Sequence, residues 1–167
     1  MNRKYKILSV ILILVLFITS NIPVAIVQAS GIESRANTCD GVKIKSYSNN
    51  GNTSVAITTD GDLYCWGENT PRQIGNDTYV DKTLPVKLLD NVRECFSFWE
   101  VNAAIKKNGD LYCWGIDNYG QLGCGYSSSI PVKILEKVKS YSLASNTGCA
   151  LTEDGGLYFW GCNDEGE

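Results

Sequence analysis

The chain of 167 residues repeats one short motif three times. The motif occupies Thr59–Gly67, Lys107–Gly115 and Glu153–Gly161, and every copy ends in Leu-Tyr, one variable residue and Trp-Gly. The closing glycines are 48 and 46 residues apart. A fixed period of this length predicts a repeat array, in which each unit packs on its neighbours. We therefore expect function on a surface rather than in a single catalytic pocket.

The first 29 residues have the pattern of a secretory signal peptide. A basic start is followed by the almost wholly apolar stretch 7–18, and Val27-Gln28-Ala29 fits a cleavage site before Ser30. We predict a signal helix within residues 1–29, a short linker over 30–40 and a secreted or cell-surface protein that meets the membrane only through this segment. The alternative is an uncleaved anchor, because residues 7–27 could just span a bilayer. Polar residues and Pro23 within that stretch weigh against it.

The charge of the mature chain restricts its partners. The signal segment holds three of the 15 basic residues and none of the 18 acidic ones, which leaves a net charge of −6 after cleavage. An acidic surface disfavours binding to nucleic-acid phosphates and to anionic membranes, because like charges repel. We therefore expect an unidentified protein or extracellular ligand as the partner, and no nucleic acid.

The seven cysteines are placed more like packing residues than like a disulfide framework. Cys65 and Cys113 share one repeat position, which the third copy fills with Phe159. Cys149 takes the place of Val55 and Ala103, so we predict that these three cysteines are buried free thiols. Disulfides among the other cysteines stay open. The chain has no histidine and no Cys-x-x-Cys pair, which makes a metal site a poor fit.

Each repeat predicts four short β-strands. In the first repeat these are residues 44–48, 54–58, 63–66 and 86–89, with a hairpin turn at Asp60-Gly61. The strand Leu63-Tyr64-Cys65-Trp66 does not alternate between apolar and polar residues, so both of its faces need cover. Sheets arranged radially as blades supply that cover without helices. A two-layer sandwich would show cleaner alternation, and a parallel β-helix has shorter coils.

The repeats resemble a known family. They are similar to the regulator of chromosome condensation repeat, whose pattern is Asp-Gly-x-Leu-Tyr-x-Trp-Gly, then Asn or Asp, then Gly-Gln-Leu-Gly. The fullest match to the second half of this pattern is at residues 117–123. The resemblance covers residues 41–167 and implies an all-β, bladed β-propeller, usually of seven blades. This chain would supply about 2.5 blades, with the third repeat truncated, so we predict part of a longer chain. The alternative is a short subunit that closes a propeller by self-association.

Repeat position suggests structural roles for the most prominent residues. We interpret the Trp-Gly pairs as blade packing and turn residues rather than as a ligand-stacking ring; they are Trp66, Gly67, Trp114, Gly115, Trp160 and Gly161. The motif aspartates could suggest calcium. They are spread over separate hairpins, so turn chemistry is the better interpretation.

The sequence indicates a binding scaffold rather than an enzyme. No nucleophile–base pair or phosphate-binding loop appears, and we predict no cofactor and no catalytic residue. The exchange activity of some family members is not carried over. Phe98 and Trp99 are the candidate partner contacts, because they replace the Asn-Gly type of turn found in the first repeat. The ring of Trp99 could instead cap Phe96 or a neighbouring blade. An extracellular enzyme inhibitor, or a propeller hydrolase with a carboxylate site, is the alternative function.

Overall fold

A computed structural model describes residues 25–26, 37–38, 42–70, 72–144 and 146–162. The chain divides into two compact units, residues 1–42 and 43–167. In the first unit, Ala25–Ile26 (β1) pairs antiparallel with Asn37–Thr38 (β2), so β1 falls within the predicted signal peptide. Residues 1–24, which include the apolar stretch of the predicted signal helix, and the cleavage site lie outside the described residues, so both stay predictions. Within the described residues, no helix has the length and apolar character needed to cross a membrane.

The second unit consists of antiparallel sheets made from consecutive strands, which confirms the all-β prediction. The first sheet contains Ile44–Asn50 (β3), Thr53–Thr58 (β4), Leu63–Gly67 (β5) and Lys82–Leu89 (β6). The second contains Val92–Phe98 (β7), Val101–Lys106 (β8), Leu111–Gly115 (β9) and Ser128–Leu135 (β10). The third contains Val138–Leu143 (β11), Thr147–Thr152 (β12) and Leu157–Gly161 (β13). The four strands predicted for a repeat are present in the first two sheets.

The repeated motif fixes the same strand register in every sheet. The last glycine of the motif pairs with the first residue of the preceding strand, as Gly67 does with Thr53 and Gly115 with Val101. The Asp-Gly turn closes this hairpin, because the Gly61 N–H donates to the Thr58 carbonyl at 3.0 Å. One β-hairpin design therefore recurs, and equivalent residues have equivalent cross-strand partners within each sheet.

The core lies between successive sheets. Between the first and second sheets, one buried cluster includes Val55, Ile57, Leu63, Cys65, Ile74, Val92, Ala104 and Trp114. Between the second and third, another includes Val101, Ala103, Ile105, Leu111, Cys113, Leu122, Val138, Tyr141 and Ala150. The central strand β8 is buried at every residue from Val101 to Ile105, since it has a sheet on each side. Face-to-face packing of sheets explains why these strands lack polar alternation.

The third sheet departs from the expectation that both faces of every repeat strand are covered. Leu157 and Phe159 are 58% and 63% exposed, whereas the equivalent residues of the first two sheets are fully buried. Cys149 is also only half-buried, so its prediction as a buried thiol is wrong. The physical reason is positional: within the described residues, no further sheet lies against this side of β12 and β13.

Candidate functional site

The two ends of the sheets differ in the length of their connections. One end carries the β-turns at 51–52 and 99–100 together with the long loops 68–81 and 116–127; we call these four segments the loop face. The opposite end carries only short turns, such as 59–62, 90–91 and 107–110. Long loops on a rigid framework are the usual location of binding residues, so the loop face is the candidate site.

Charges at the opposite end are largely paired with one another. Lys87 lies 2.7 Å from Asp62, and Lys106 lies 2.9 Å from Asp90 and lowers the pKa of that carboxyl by hydrogen bonding. Lys133 contacts Asp110 at 3.1 Å. Across the described residues, no group of three or more Cys, Asp or Glu side chains is arranged to hold a metal ion. These aspartates therefore form ion pairs with lysines of neighbouring strands and stabilise the turns in which they lie.

An Asn or Asp after each of the first two Trp-Gly pairs organises the long loop that follows. The Asn69 side-chain oxygen accepts the Ile74 N–H at 2.9 Å, and the Asp117 carboxylate accepts the Leu122 N–H at 2.6 Å. Asn69 is fully buried and also donates to the Thr78 carbonyl at 2.7 Å. Such side-chain to backbone bonds substitute for regular secondary structure and hold the loop in one conformation. The two long loops of the loop face therefore have a defined conformation.

Large aromatic side chains are exposed on the loop face. Tyr79, Trp99, Tyr119 and Tyr126 all lie on it with more than half of their surface accessible. The Arg72 guanidinium sits 3.8 Å from the centroid of the Tyr79 ring, a cation–π contact that orients both side chains. Sequence reasoning singled out only Trp99. No signal in the sequence marked the three tyrosines, because the long loops carry no periodic pattern of exposed and buried positions.

Trp99 occupies a backbone conformation that its residue type disfavours. It sits at the tip of the β7–β8 turn with φ +51° and is 65% exposed. The equivalent residue of the first repeat is Gly51, with φ +75°, and the two turns are adjacent, since a Cβ on Gly51 would lie 3.7 Å from the Trp99 Cα. A left-handed conformation costs a bulky residue about 1–2 kcal/mol. Phe98, the other candidate contact, is half-buried at the end of β7.

The loop face is acidic, and most of its carboxylates are held by nearby donors. Its charged residues are Glu68, Asp77, Asp81, Glu100, Asp117 and the cation Arg72. Glu68 accepts from the Asn52 amide at 2.6 Å, Asp77 from the Ser129 hydroxyl at 2.6 Å and Asp81 from the Asn69 N–H at 2.8 Å. These bonds fix the negative charges in place, which makes the face complementary to a basic surface.

The tryptophans of the second and third Trp-Gly pairs lie at the sheet interfaces rather than on the loop face. Trp114 is fully buried, and its indole N–H donates to the Gln73 carbonyl at 2.9 Å. Trp160 donates to the Gln121 carbonyl at 3.0 Å and stacks on Tyr141 with ring centroids 5.8 Å apart. Trp66, on the first sheet, is half-buried.

Each glycine after these tryptophans is required by a close backbone approach. Gly115 has φ +114°, and a Cβ there would overlap the Glu100 carbonyl oxygen. That carbonyl in turn accepts the Ile116 N–H at 3.1 Å, which binds the start of the long loop to the Trp99 turn. The glycine therefore brings two segments of the loop face together.

Two of the motif cysteines lie deep in the sheet interfaces. Cys65 and Cys113 are fully buried free thiols. Burial raises the pKa of Cys113 to about 12, although the Tyr141 hydroxyl lies 3.9 Å from its sulfur. A thiol with so high a pKa is a poor nucleophile, so its role is packing.

Successive antiparallel sheets packed through their faces define a repeat protein of the β-propeller class. A family model described as the regulator of chromosome condensation (RCC1) repeat matches residues 60–97 and 108–151, and a second RCC1-repeat model matches residues 48–70. These matches cover more than half of the chain. The chain therefore belongs to the RCC1 repeat family.

Solved structures support the same fold. Human WBSCR16 aligns with a TM-score of 0.68 at 20% identity, over 77% of this chain and 35% of that one. Yeast RCC1 (Prp20) bound to Kap60 aligns with a TM-score of 0.60 at 24% identity, over 72% and 32% of the two chains. A further structure is that of Prp20p from Saccharomyces cerevisiae, which is described with its binding to Gsp1p and histones. It aligns with a TM-score of 0.60 at 24% identity, over 71% of this chain and 33% of that one. This chain thus spans about a third of the length of these structures. Comparison with curated proteins gives no match.

Proposed function

We propose that this chain is part of an exported or cell-surface propeller that binds a protein or extracellular ligand through its loop face. The observation that carries the proposal is Trp99, a large aromatic residue that is exposed in a strained turn where the first repeat has glycine. Strain of this kind is retained where it serves a function. Tryptophan is also enriched among the interface residues that supply most of the binding energy.

The chemistry of the loop face specifies the kind of partner. Exposed aromatic rings beside fixed carboxylates suit a surface that presents basic and apolar groups together. Prp20p is described with protein partners, and that use of the same fold supports a protein ligand. The identities of those partners do not transfer at 24% identity. Export is supported by the signal pattern of residues 1–29.

Affinity capture tests the proposal. The full exported chain is immobilised and exposed to extracellular proteins from its own source, in parallel with Trp99→Ala and Tyr158→Ala. Tyr158 is the matched control because it is an exposed aromatic residue beside Asp154, at the opposite end of the sheets. We expect proteins that bind the wild type and Tyr158→Ala but are depleted at least tenfold by Trp99→Ala. Binding should also weaken as salt rises, because the loop face is acidic. Equal capture by all three chains would refute the role of Trp99.

A further inference from the structure

The turn that carries Trp99 lies against the equivalent turn of the first repeat. A Cβ on Gly51 would lie 3.7 Å from the Trp99 Cα. The two turns connect strands of the first and second sheets, which share one buried cluster, so their contact is internal to the pair of sheets. The residues around this contact are called the turn site, and they are Gly51, Asn52, Glu68, Trp99 and Glu100.

One carboxylate of the turn site comes from the first sheet. The Glu68 carboxylate accepts the Asn52 side-chain amide at 2.6 Å. The backbone is fixed as well, because the Glu68 N–H donates to the Asn52 carbonyl at 3.0 Å. The Thr53 hydroxyl also donates to the Glu68 carbonyl at 3.2 Å. These three bonds hold the Glu68 carboxylate beside the turn that contacts Trp99.

The second carboxylate of the turn site comes from the second sheet. At the position of Asn52 the second repeat has Glu100. At the position of Glu68 it has Ile116, whose N–H still donates to the Glu100 carbonyl at 3.1 Å. Each of the two repeats thus supplies one carboxylate at this pair of positions, but from opposite members of the pair. The two acids therefore belong to the two turns that meet at Trp99.

No cation of the described chain neutralises these two acids. Across the described residues, neither Glu68 nor Glu100 forms a salt bridge, and the Glu100 side chain has no hydrogen-bond partner. Lys82 lies in register with Gly67, next to Glu68 in the chain, yet it forms no salt bridge there. Several aspartates at the opposite end are paired with lysines of the chain itself. The turn site therefore keeps two negative charges beside an exposed indole.

The loop face contains an example of the group that such a site accepts. The Arg72 guanidinium lies 3.8 Å from the centroid of the Tyr79 ring and, in the described part of the chain, has no carboxylate partner. A guanidinium is planar, so it can stack on an aromatic ring and still donate from its edge to a carboxylate. Tryptophan attracts cations more strongly than tyrosine does. Charge and ring chemistry at the turn site therefore both favour a guanidinium.

We infer that the turn site binds an arginine side chain of the partner, with the guanidinium stacked on Trp99 and paired with Glu68 and Glu100. This inference rests on the proposed binding function of the loop face and adds the chemistry of the group that is bound. The Trp99 ring is accessible to such a group because the residue is 65% exposed. The strained turn has a use in this account, since it holds the indole away from the fold.

Titration with a blocked tripeptide tests the inference. The probe is N-acetyl-Gly-Arg-Gly amide, and its control carries citrulline, a urea of nearly the same shape that has no charge. The full chain is titrated by NMR and followed at the Trp99 indole N–H, which is assigned by its loss in Trp99→Ala. We expect the arginine peptide to shift this resonance saturably and to bind at least about tenfold more tightly than the citrulline peptide.

Charge-neutral variants test the two carboxylates. Glu68→Gln and Glu100→Gln should each weaken binding of the arginine peptide about three- to fivefold, and the double variant about tenfold or more. Glu153→Gln is the matched control, because Glu153 is an exposed carboxylate in a turn at the opposite end, and in the described chain it also lacks an ion pair. It should bind like the wild type. Circular dichroism checks that every variant is folded.

The other outcomes overturn the inference. Equal binding of the arginine and citrulline peptides would show that recognition does not depend on charge, and equal weakening by Glu153→Gln would point to the overall field of the protein. If neither peptide shifts the Trp99 indole while captured proteins still depend on Trp99, the loop face binds another group and only this inference fails. Capture that is independent of Trp99 contradicts the proposed function, and with it the assignment of arginine to a partner.

Discussion

The indole N–H of Trp114 donates a 2.9 Å hydrogen bond to the carbonyl of Gln73, a residue of the preceding repeat. Trp160 makes the same bond to Gln121 at 3.0 Å. Each bond connects the Trp-Gly pair of one sheet to the Gly-Gln-Leu-Gly type of loop of the sheet before it. Two separate parts of the repeat motif are therefore the two halves of one contact between sheets.

Removing this hydrogen bond should destabilise the fold. Trp114→Phe deletes a fully buried donor and leaves a small cavity, so we expect a loss of about 2 kcal/mol in the free energy of unfolding. Trp66→Phe is the matched control, because the Trp66 indole has no acceptor among the described residues and is only half-buried. Chemical denaturation measures the free energy of unfolding of both variants. Equal losses would contradict an interface role for the Trp114 bond.

Gly115 should tolerate a side chain much less well than Gly125. Both glycines have positive φ, +114° and +79°, so alanine carries a conformational cost of about 1 kcal/mol at either position. At Gly125 nothing lies within 4 Å of the added Cβ, whereas at Gly115 it overlaps the Glu100 carbonyl. We expect Gly115→Ala to lower the melting temperature clearly more than Gly125→Ala does. Similar melting temperatures for the two variants would mean that the close approach to Glu100 is not required.

Glycine at position 99 should stabilise the protein. Trp99→Gly removes the cost of a left-handed conformation for a bulky residue and loses little packing, so we expect a gain of about 1 kcal/mol in the free energy of unfolding. Trp99→Ala keeps a Cβ in the strained conformation and should give no such gain. Thermal and urea denaturation of both variants provide the measurement. Destabilisation by Trp99→Gly would show that the ring packs on the fold, as the capping alternative holds.

The buried thiols should make stability fall in alkaline solution. Burial raises the pKa of Cys113 to about 12, while an unfolded chain has a cysteine pKa of about 8.5. Between these values the unfolded chain loses the proton and the folded chain keeps it, so the free energy of unfolding decreases as pH rises. The slope reaches up to about 1.4 kcal/mol per pH unit for one thiol. Below about pH 8 this group is protonated in both states and contributes no slope.

Urea denaturation from pH 7 to pH 11 checks this prediction with Cys113→Ala. The variant should be less stable at neutral pH through lost packing, and its stability should fall less steeply above pH 9. Comparison of slopes removes the contribution of tyrosines and lysines, which titrate in both chains. Parallel pH profiles for wild type and variant would show that this thiol is not shielded from water.

The fold could be predicted because of the repeat. Its period indicates both where the strands lie in the sequence and which sheets are neighbours. The apolar strand Leu63-Tyr64-Cys65-Trp66 correctly indicated cover on both faces where a sheet lies on each side. The half-buried Cys149 could not be predicted in this way, because its burial depends on what lies beyond β13 rather than on its repeat position. Repeat equivalence describes residues between two described sheets better than residues on the outer side of the third sheet.

The loop face was less accessible to sequence reasoning. Trp99 stood out because it interrupts a turn position that has glycine in the first repeat. Tyr79, Tyr119 and Tyr126 lie in long loops, where no period indicates which side chains point outward. Their exposure depends on loop conformations set by single side chains such as Asn69, whose hydrogen bonds to distant backbone groups are not visible in a local pattern.

Paired measurements of affinity and stability on two tryptophan variants test the central claim, that the loop face binds and the sheet interfaces hold the fold. The partner is a protein captured by the wild type, and calorimetry gives its Kd while thermal denaturation gives Tm. We predict that Trp99→Ala weakens binding by about 2 kcal/mol, roughly 30-fold in Kd, with Tm nearly unchanged. Trp114→Phe should lower Tm and leave the Kd of the folded protein unchanged. A Trp99→Ala protein with wild-type Kd and a clearly lowered Tm would contradict the account.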